Sequence, residues 1–512
     1  MSSLILAIMK RFWLLLLLAL PLFAGCHKPE TPEKEEEKTP EETTPKETQK
    51  SVEYVNVFGY NVMSVYYLWN EEISNGLASW GTDWKTEKDP IARVRTIRYK
   101  DSAGKDIDRW TMMTDDFESF TSSVAGVELS VGLDFILMYL DSSHTQIVGI
   151  VTFTYANSPA EKAGLKRGDV ITKLNGSAMY YDNYYDLLMS SIYGDKEFKL
   201  SLYDGRTMTL TPVELEEDAV NEVKVLDVGG KKVGYIHFTS FTLLSLKGLM
   251  QAFAGFKAEG IEELVMDLRY NGGGYVKTCN VLGSIIAPLD AVNGKKVFSR
   301  EIMNQKLTDA WGEEPTNFNP DFGAITVSTG TQVNCPAAEV NSDLKRVYFL
   351  VSPDSASASE SLICGLKPYM DVVVIGEQTH GKFCAGFMMD AEGWYEDVKD
   401  QLERAEYEKA VSQVKNWGLY VMYARYADCN GVTLSMPDGI VPDIEQRDDP
   451  QDGCLLGDPN ETLLSIALAH MNGTYTKAST RSADPLSSLV LPASEKPHRP
   501  GYGVLVNDLP RK

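Results

Sequence analysis

The stretch "RVYFLVSPDSASASESLICGLKPYMDVVVIG", residues 346–376, constrains this chain more than any other. Two apolar, β-branched runs flank a segment long enough for about three helical turns. A hairpin needs only a short turn, so a connection of this length implies two parallel strands joined by a helical crossover. A third apolar run, "EELVMDLRYNGGG" at 262–274, is followed by the helix-like "YVKTCNVLGSIIAP". Strands and helices alternate in this way from about 217 to 447, which predicts an α/β sheet with parallel strands.

In such sheets chemistry gathers beyond the carboxyl ends of the strands. All three runs carry their unusual residues there: Asn271-Gly272-Gly273-Gly274, the serines of 352–359, and Thr379-His380-Gly381-Lys382. Adjacent strands lie roughly 5 Å apart, so the Lys382 side chain can reach a serine hydroxyl at the next strand end. The interval from Ser357 to Lys382 is 25 residues, enough for a strand end, a helix, a turn and a strand.

Ser357-Ala-Ser-Glu360 has two competing readings. As a capping box, its serine and glutamate satisfy free amides at a helix start. As a catalytic site, Ser357 is a nucleophile with the Ala358 amide as one oxyanion donor. A second donor then comes from the "NGGG" loop, whose backbone can approach a substrate closely. Lys382 must be neutral to act as base, a drop of roughly 3 pKa units or about 4 kcal/mol, which burial can supply. Ser355 and Ser359 are the other candidate nucleophiles. An Oγ committed to the helix amide is poorly placed to attack, so Ser355 is favoured as the capping contributor, and Ser359 fits first-turn capping better than attack. His380 is the other possible base, but a turn histidine two residues from Lys382 reads as solvated. "NGGG" lacks the Lys-Ser/Thr of a phosphate loop.

Before this α/β part, residues 125–216 read as short strands. "SPAEKAGLKRGDVITKLNG" resembles a PDZ domain, with Ser158 capping a short helix and "KRGD" turning into a strand. "VGLDF" (Val131, Gly132, Leu133, Asp134, Phe135) sits where that family binds a terminal carboxylate, beside a strand edge suited to an extended peptide. With "DLRYNGGG", "SASASE", "GEQTHGK" and "PDGIVPDIE" in this order, residues 125–447 resemble the carboxy-terminal processing, or tail-specific, serine proteases.

The resemblance implies an α/β multidomain fold with a PDZ domain and a protease core of ClpP/crotonase-like type. It implies Ser357 as nucleophile, Lys382 as general base, and an oxyanion hole from Ala358 with Gly273 or Gly274. Substrates are then proteins whose C-terminal ends the PDZ domain holds. Two positions depart from the pattern. Family members orient the lysine with an aspartate eleven residues after the serine, here Pro368, or a glutamine four after the lysine, here Gly386. Asp371 is a substitute candidate. The rival to the enzyme is a catalytically weak or inactive membrane-tethered peptide-binding scaffold.

Upstream, "MKRFWLLLLLALPLFAGC" has a basic start, an apolar run too short to span a bilayer, and a small-residue exit. "LFAGC" resembles a lipobox with Cys26 as the lipidated residue, which predicts a bacterial cell-envelope lipoprotein facing periplasm or cell surface. Residues 27–50 contain no apolar core former and read as a charged disordered tether. Residues 51–124, opening with "VNVFGYNVMSVYYLWNEEI", read as a small helical domain, and 448–512 as a helix with a loose tail. A charged amphipathic helix is expected at 394–418, inserted after the lysine loop and able to roof the cleft. A net charge of −23 argues against nucleic-acid binding. The six cysteines after Cys26 lack metal-ligand spacing, so no metal and no cofactor are expected.

Overall fold

The computed structural model describes residues 51–476 and 489–491, apart from Gly126, Glu314 and Ser435. The leader with Cys26, the tether 27–50 and most of the chain after 476 lie outside the described residues. Among the described residues no helix is long and apolar enough to cross a membrane. None of their His, Cys, Asp and Glu side chains cluster as a metal site, and no disulfide joins Cys279, Cys335, Cys364, Cys384, Cys429 or Cys454.

Helix α1 (Glu53–Tyr66) buries Val55, Phe58, Val62 and Met63, a stripe at helical spacing. Two shorter helices follow, then strand β1 (Met112–Thr114) and the helix Phe117–Ala125. These residues do not form a separate helical domain. Their buried side chains belong to one continuous core with Ile236, Leu264, Phe349 and Tyr420.

A β-rich module comes next. β2 (Leu133–Tyr139) and β3 (Gln146–Thr154) belong to a six-stranded antiparallel sheet in which β2 is an edge. The Ser158 hydroxyl accepts from Glu161 N at 3.1 Å and caps the turn Pro159–Lys162. Helix α2 (Tyr184–Met189) closes a core of the module's own, containing Leu133, Phe135, Leu137, Tyr184 and Leu188.

The α/β part runs β4 (Val220–Val228), β5 (Lys231–Phe238), α3 (Ser245–Glu259), β6 (Glu263–Asp267), α4 (Val276–Ile286), β7 (Val297–Met303), β8 (Arg346–Val351), α5 (Ala358–Leu366), β9 (Asp371–Gly376), β10 (Cys384–Asp390), β11 (Gly418–Ala427), β12 (Ile444–Glu445) and α6 (Thr462–Met471). Its central sheet has the order β4-β5-β6-β8-β9-β12, parallel from β5 onward. β8 and β9 are neighbours in register from Arg346 opposite Asp371 to Val351 opposite Gly376. Helices α3, α4 and α5 pack with the core on one face. On the other, Leu463, Leu464 and Ala467 of α6 cover Tyr235, Val265 and Tyr348, so the core over this face extends past residue 447. A second, antiparallel sheet joins β1, β10 and β7 to β11.

The single helix expected at 394–418 is two helices, Ala391–Val398 and Arg404–Val414, separated by extended backbone at Leu402 and Glu403. They pack on α1 instead of standing free: Trp394 meets Phe58 edge-on at 5.8 Å, and Tyr395 donates to the Tyr54 carbonyl at 2.9 Å.

Candidate active site

The ends of β6, β8 and β9 bring the glycine loop, the serine run and the lysine turn together. The serine run is the framework. Ser355 Oγ donates to the Leu268 carbonyl at 2.8 Å and accepts from Ser352 N at 2.9 Å. Ser352 Oγ donates to the Arg269 carbonyl, and Ser359 Oγ donates to the Asn271 carbonyl at 3.0 Å. Neither Ser355 nor Ser359 caps α5, contrary to expectation, because both hydroxyls are committed to the loop after β6.

Ser357 is 1% exposed, with φ +64° and ψ −109°, a conformation side-chain-bearing residues rarely adopt. Its Oγ makes no hydrogen bond of its own, although Ser357 still stands in the capping-box arrangement with Glu360. The glutamate half is made: Glu360 accepts the Ser357 amide at 2.8 Å. That carboxylate is fully buried and does more than cap. Its second oxygen accepts from Thr379 Oγ1 at 2.5 Å and Gly381 N at 2.8 Å, while the first also takes Lys382 N at 2.9 Å. Burial pushes the Glu360 carboxyl up, and the surrounding donors pull it back only in part.

The glycine loop presses on this turn. A Cβ on Gly273 would stand 2.8 Å from the Ser357 Cβ and 3.1 Å from the Ala358 amide nitrogen. The Gly273 amide itself donates to Asn271 Oδ1 at 2.9 Å. The Gly274 and Ala358 amides donate to no group among the described residues. Gly274, at φ +143°, has the Phe241 carbonyl 2.7 Å from where a Cβ would be. Of the two glycines expected as donor, Gly274 is therefore the one whose N–H is uncommitted.

Lys382 is buried completely. Desolvation pulls its amine down to about 8, against weaker opposing effects of Cys384, Asp108 and Glu360. Its Nζ donates to the Tyr420 hydroxyl at 3.2 Å and lies over two rings, 5.2 Å from the centroid of Tyr420 and 5.6 Å from that of Trp110. It does not hydrogen-bond Ser357 Oγ. Tyr420 sits where residue 386 would project, since a Cβ on Gly386 would meet the Tyr420 ring at 2.5 Å. Trp110 is held by its own amide donating to Asp108 Oδ1 at 2.9 Å.

Other candidates fall away. His380 is tied to the Pro353 carbonyl at 3.2 Å, and burial, with Arg109 nearby, takes it down to about 4. Asp371 starts β9, at the far end from the site, and pairs with Arg346. In the module, the Gly132 amide donates to Ser130 Oγ at 2.8 Å and so is not open to a carboxylate. Val131 and Gly132 precede β2, with Gly132 at φ +68°, while Leu133, Asp134 and Phe135 are its first residues. Arg167 of the module reaches the glycine loop's neighbour, donating to Tyr270 OH at 2.8 Å and to Asp448 Oδ1 at 2.6 Å. Arg269 joins the same buried cluster through Asp448 and Glu461, and although burial opposes it, the two arginines hold Asp448 below the usual carboxylate range.

Glu360 was visible in the sequence only as a cap, and Tyr420 and Trp110 carried no signal beyond being aromatic residues in apolar surroundings.

Residues 232–446 match the family model for peptidase family S41. The chain is 27% identical over 266 residues to a protein described as a probable CtpA-like serine protease of Staphylococcus aureus, covering 52% of this chain and 46% of that protein. It therefore spans about half the length of the curated relatives of this kind that it matches. It is 26% identical over 339 residues to a chloroplastic C-terminal processing peptidase of Tetradesmus obliquus, covering 63% of this chain and 61% of that one. A solved structure of a candidate S41 protease from Bacteroides fragilis superposes with a TM-score of 0.59 at 21% identity, covering 86% of this chain and all of that one. That likeness speaks for the fold.

Proposed function

Residues 232–446 place the chain in peptidase family S41, and on that premise we propose that it is a serine endopeptidase with a Ser357–Lys382 dyad. The observation that carries this reading is the shared acceptor. One oxygen of Glu360 binds the backbone nitrogens of both Ser357 and Lys382, at 2.8 and 2.9 Å, so those nitrogens cannot be farther apart than the two bonds together. A buried hydroxyl without a hydrogen bond and a buried, weakened amine thus sit on one clamp.

The chemistry follows. Neutral Lys382 takes the Ser357 proton as Oγ attacks the substrate carbonyl, and the Ala358 and Gly274 amides receive the oxyanion. The resulting ammonium protonates the leaving amine. Water then attacks the acyl ester, giving its proton to Lys382, which passes it to the departing Ser357 Oγ as the product acid leaves. Catalytic hydrogen bonds are often unmade in unliganded enzymes and tighten on the substrate, which accommodates the missing Ser357–Lys382 contact. Tyr420 takes the orienting place that neither Pro368 nor Gly386 can fill, accepting one lysine N–H so that the lone pair is directed elsewhere.

The β-rich module is the PDZ domain of this reading, and its β2 edge receives C-terminal segments of protein substrates. The "LFAGC" leader supports a lipid anchor at Cys26 and a place in the bacterial cell envelope. A second reading, an idle peptide-binding scaffold, is favoured by the lysine's engagement with Tyr420 in place of Ser357. A serine-directed acylating probe separates the two. It should label the wild-type chain and not Ser357→Ala, and Lys382→Ala should abolish cleavage of an unstructured protein. Equal residual cleavage in wild type and both variants establishes the scaffold.

A further inference from the structure

The β2 edge of the module is not empty. Residues 489–491 pair with it antiparallel: Tyr139 N donates to the Leu489 carbonyl at 2.6 Å, Leu491 N donates to the Leu137 carbonyl at 3.1 Å, and Val490 lies opposite Met138. The three side chains divide between two clusters of the module. Leu491 is 3% exposed and enters the module core with Leu137 and Leu188. Leu489 and Val490 pack with Met138, Val148 and Ile150. The segment runs toward Leu133, the direction in which a bound C-terminal peptide would approach Val131 and Gly132 at the start of β2.

We propose that residues 489–491 are an intramolecular ligand of the β2 edge, occupying the place of a substrate's C-terminal segment until one with an aliphatic residue in the Leu491 position displaces them. The proposal rests on the reading of the module as a peptide-binding domain. Three features of the contact carry it. An edge strand presents its outer backbone groups to an added strand. Two main-chain hydrogen bonds give the contact its register. One buried leucine gives it selectivity, while the short length keeps it reversible. It also corrects the expectation of a wholly loose tail, since these three residues are ordered against the module.

The competition can be estimated. A segment tethered by a short linker acts at an effective concentration of about 1 mM. A peptide of the same sequence with a Kd of about 100 μM would then be held off roughly tenfold by the attached copy.

The probe is the fluorescent heptapeptide Pro-Leu-Ser-Ser-Leu-Val-Leu with a free carboxylate, measured by anisotropy on the intact chain, on a chain ending at residue 476, and on full-length Leu491→Asp. The point variant guards against a shortened chain that fails to fold, and both are checked by circular dichroism. Binding about tenfold tighter in either folded variant, with loss of binding when the probe's last residue is Asp, is the expected result. Equal affinity in intact and altered chains overturns the intramolecular ligand and leaves the peptide-binding reading standing. No binding by any of the three overturns both.

Discussion

Glu360→Gln tests the clamp directly. The two carboxylate oxygens accept four hydrogen bonds, from Thr379 and Gly381 on one side and Ser357 and Lys382 on the other. Thr379 Oγ1 itself accepts from Ile440 N at 2.7 Å, so its proton is directed at Glu360. Every partner is thus a donor, and a proton on the carboxyl would have nowhere to go without displacing one. Glutamine must turn an NH2 toward one pair. The cheaper orientation faces Thr379, whose hydroxyl can rotate to accept, and leaves the Gly381 amide opposed. That loses one bond to a charged acceptor, worth about 1.5–3 kcal/mol, and weakens three others. A local cost of about 3 kcal/mol follows, or roughly a hundredfold in the opening equilibrium. Unfolding of a chain with several cores is not two-state, so the assay is local. Hydrogen exchange by mass spectrometry over peptides spanning 352–366 and 376–384 should quicken by about that factor, with kcat falling alongside. Unchanged exchange in both peptides and unchanged turnover would show that the carboxyl is not the strut described.

Peptidase activity should rise with pH through about 8, where the Lys382 amine loses its proton. Tyr420→Phe keeps the ring but removes an acceptor that stabilises the ammonium, so kcat should drop roughly 10–100-fold; the midpoint should also move to lower pH, a shift that lost packing alone would not produce. Gly274→Ala drives a Cβ to 2.7 Å from the Phe241 carbonyl; burst titration should show activity lower by about a hundredfold or more. Lys382→Met should raise stability by up to about 3 kcal/mol at neutral pH, because the folded amine sits near 8 and its ordinary value is 10.5. The unfolded chain holds that proton more tightly, so the gain is full below pH 8 and gone above about 10.5. Denaturant midpoints at pH 7 and pH 11 check the sign.

What could be read from the sequence was whatever lay within one strand–helix–strand unit. The runs at 346–351 and 371–376 are apolar enough to be buried on both faces, and their spacing left only a parallel pairing, so the meeting of serine run and lysine turn followed. The partners that shape the lysine's surroundings came from far away in the chain. Tyr420 lies in β11, an apolar strand whose pattern says only that it is buried, and Trp110 lies just before β1. Nothing local marks either as facing an amine, because that depends on the register of β10 against β11. The helix expected at 394–418 failed for a related reason. Its charged pattern is helical on both sides of Leu402-Glu403, but the two halves answer to α1, and a break there lets each bury its own face.

The serine run shows why a motif with a dull reading and a functional one need not force a choice. An ordinary N-cap keeps extended backbone and lends its hydroxyl to the helix. Ser357 instead has φ +64°, a conformation that costs on the order of 1–3 kcal/mol and persists only where the surroundings over-determine it. The surroundings here are its neighbours: Ser352, Ser355 and Ser359 each donate to a carbonyl of the loop 268–271, and Glu360 fixes the Ser357 amide. Those bonds hold the turn in the strained form, in which the Ser357 hydroxyl makes no hydrogen bond to the helix end. Three serines and the cap's glutamate therefore build the structure that releases the fourth hydroxyl. Removing the Ser355 hydroxyl should undo that release: in Ser355→Ala, two of the run's hydrogen bonds vanish, the turn can relax, and labelling of Ser357 by an acylating probe should slow while Ser357 remains present. Unchanged labelling in a folded Ser355→Ala chain would mean the strain is imposed from elsewhere.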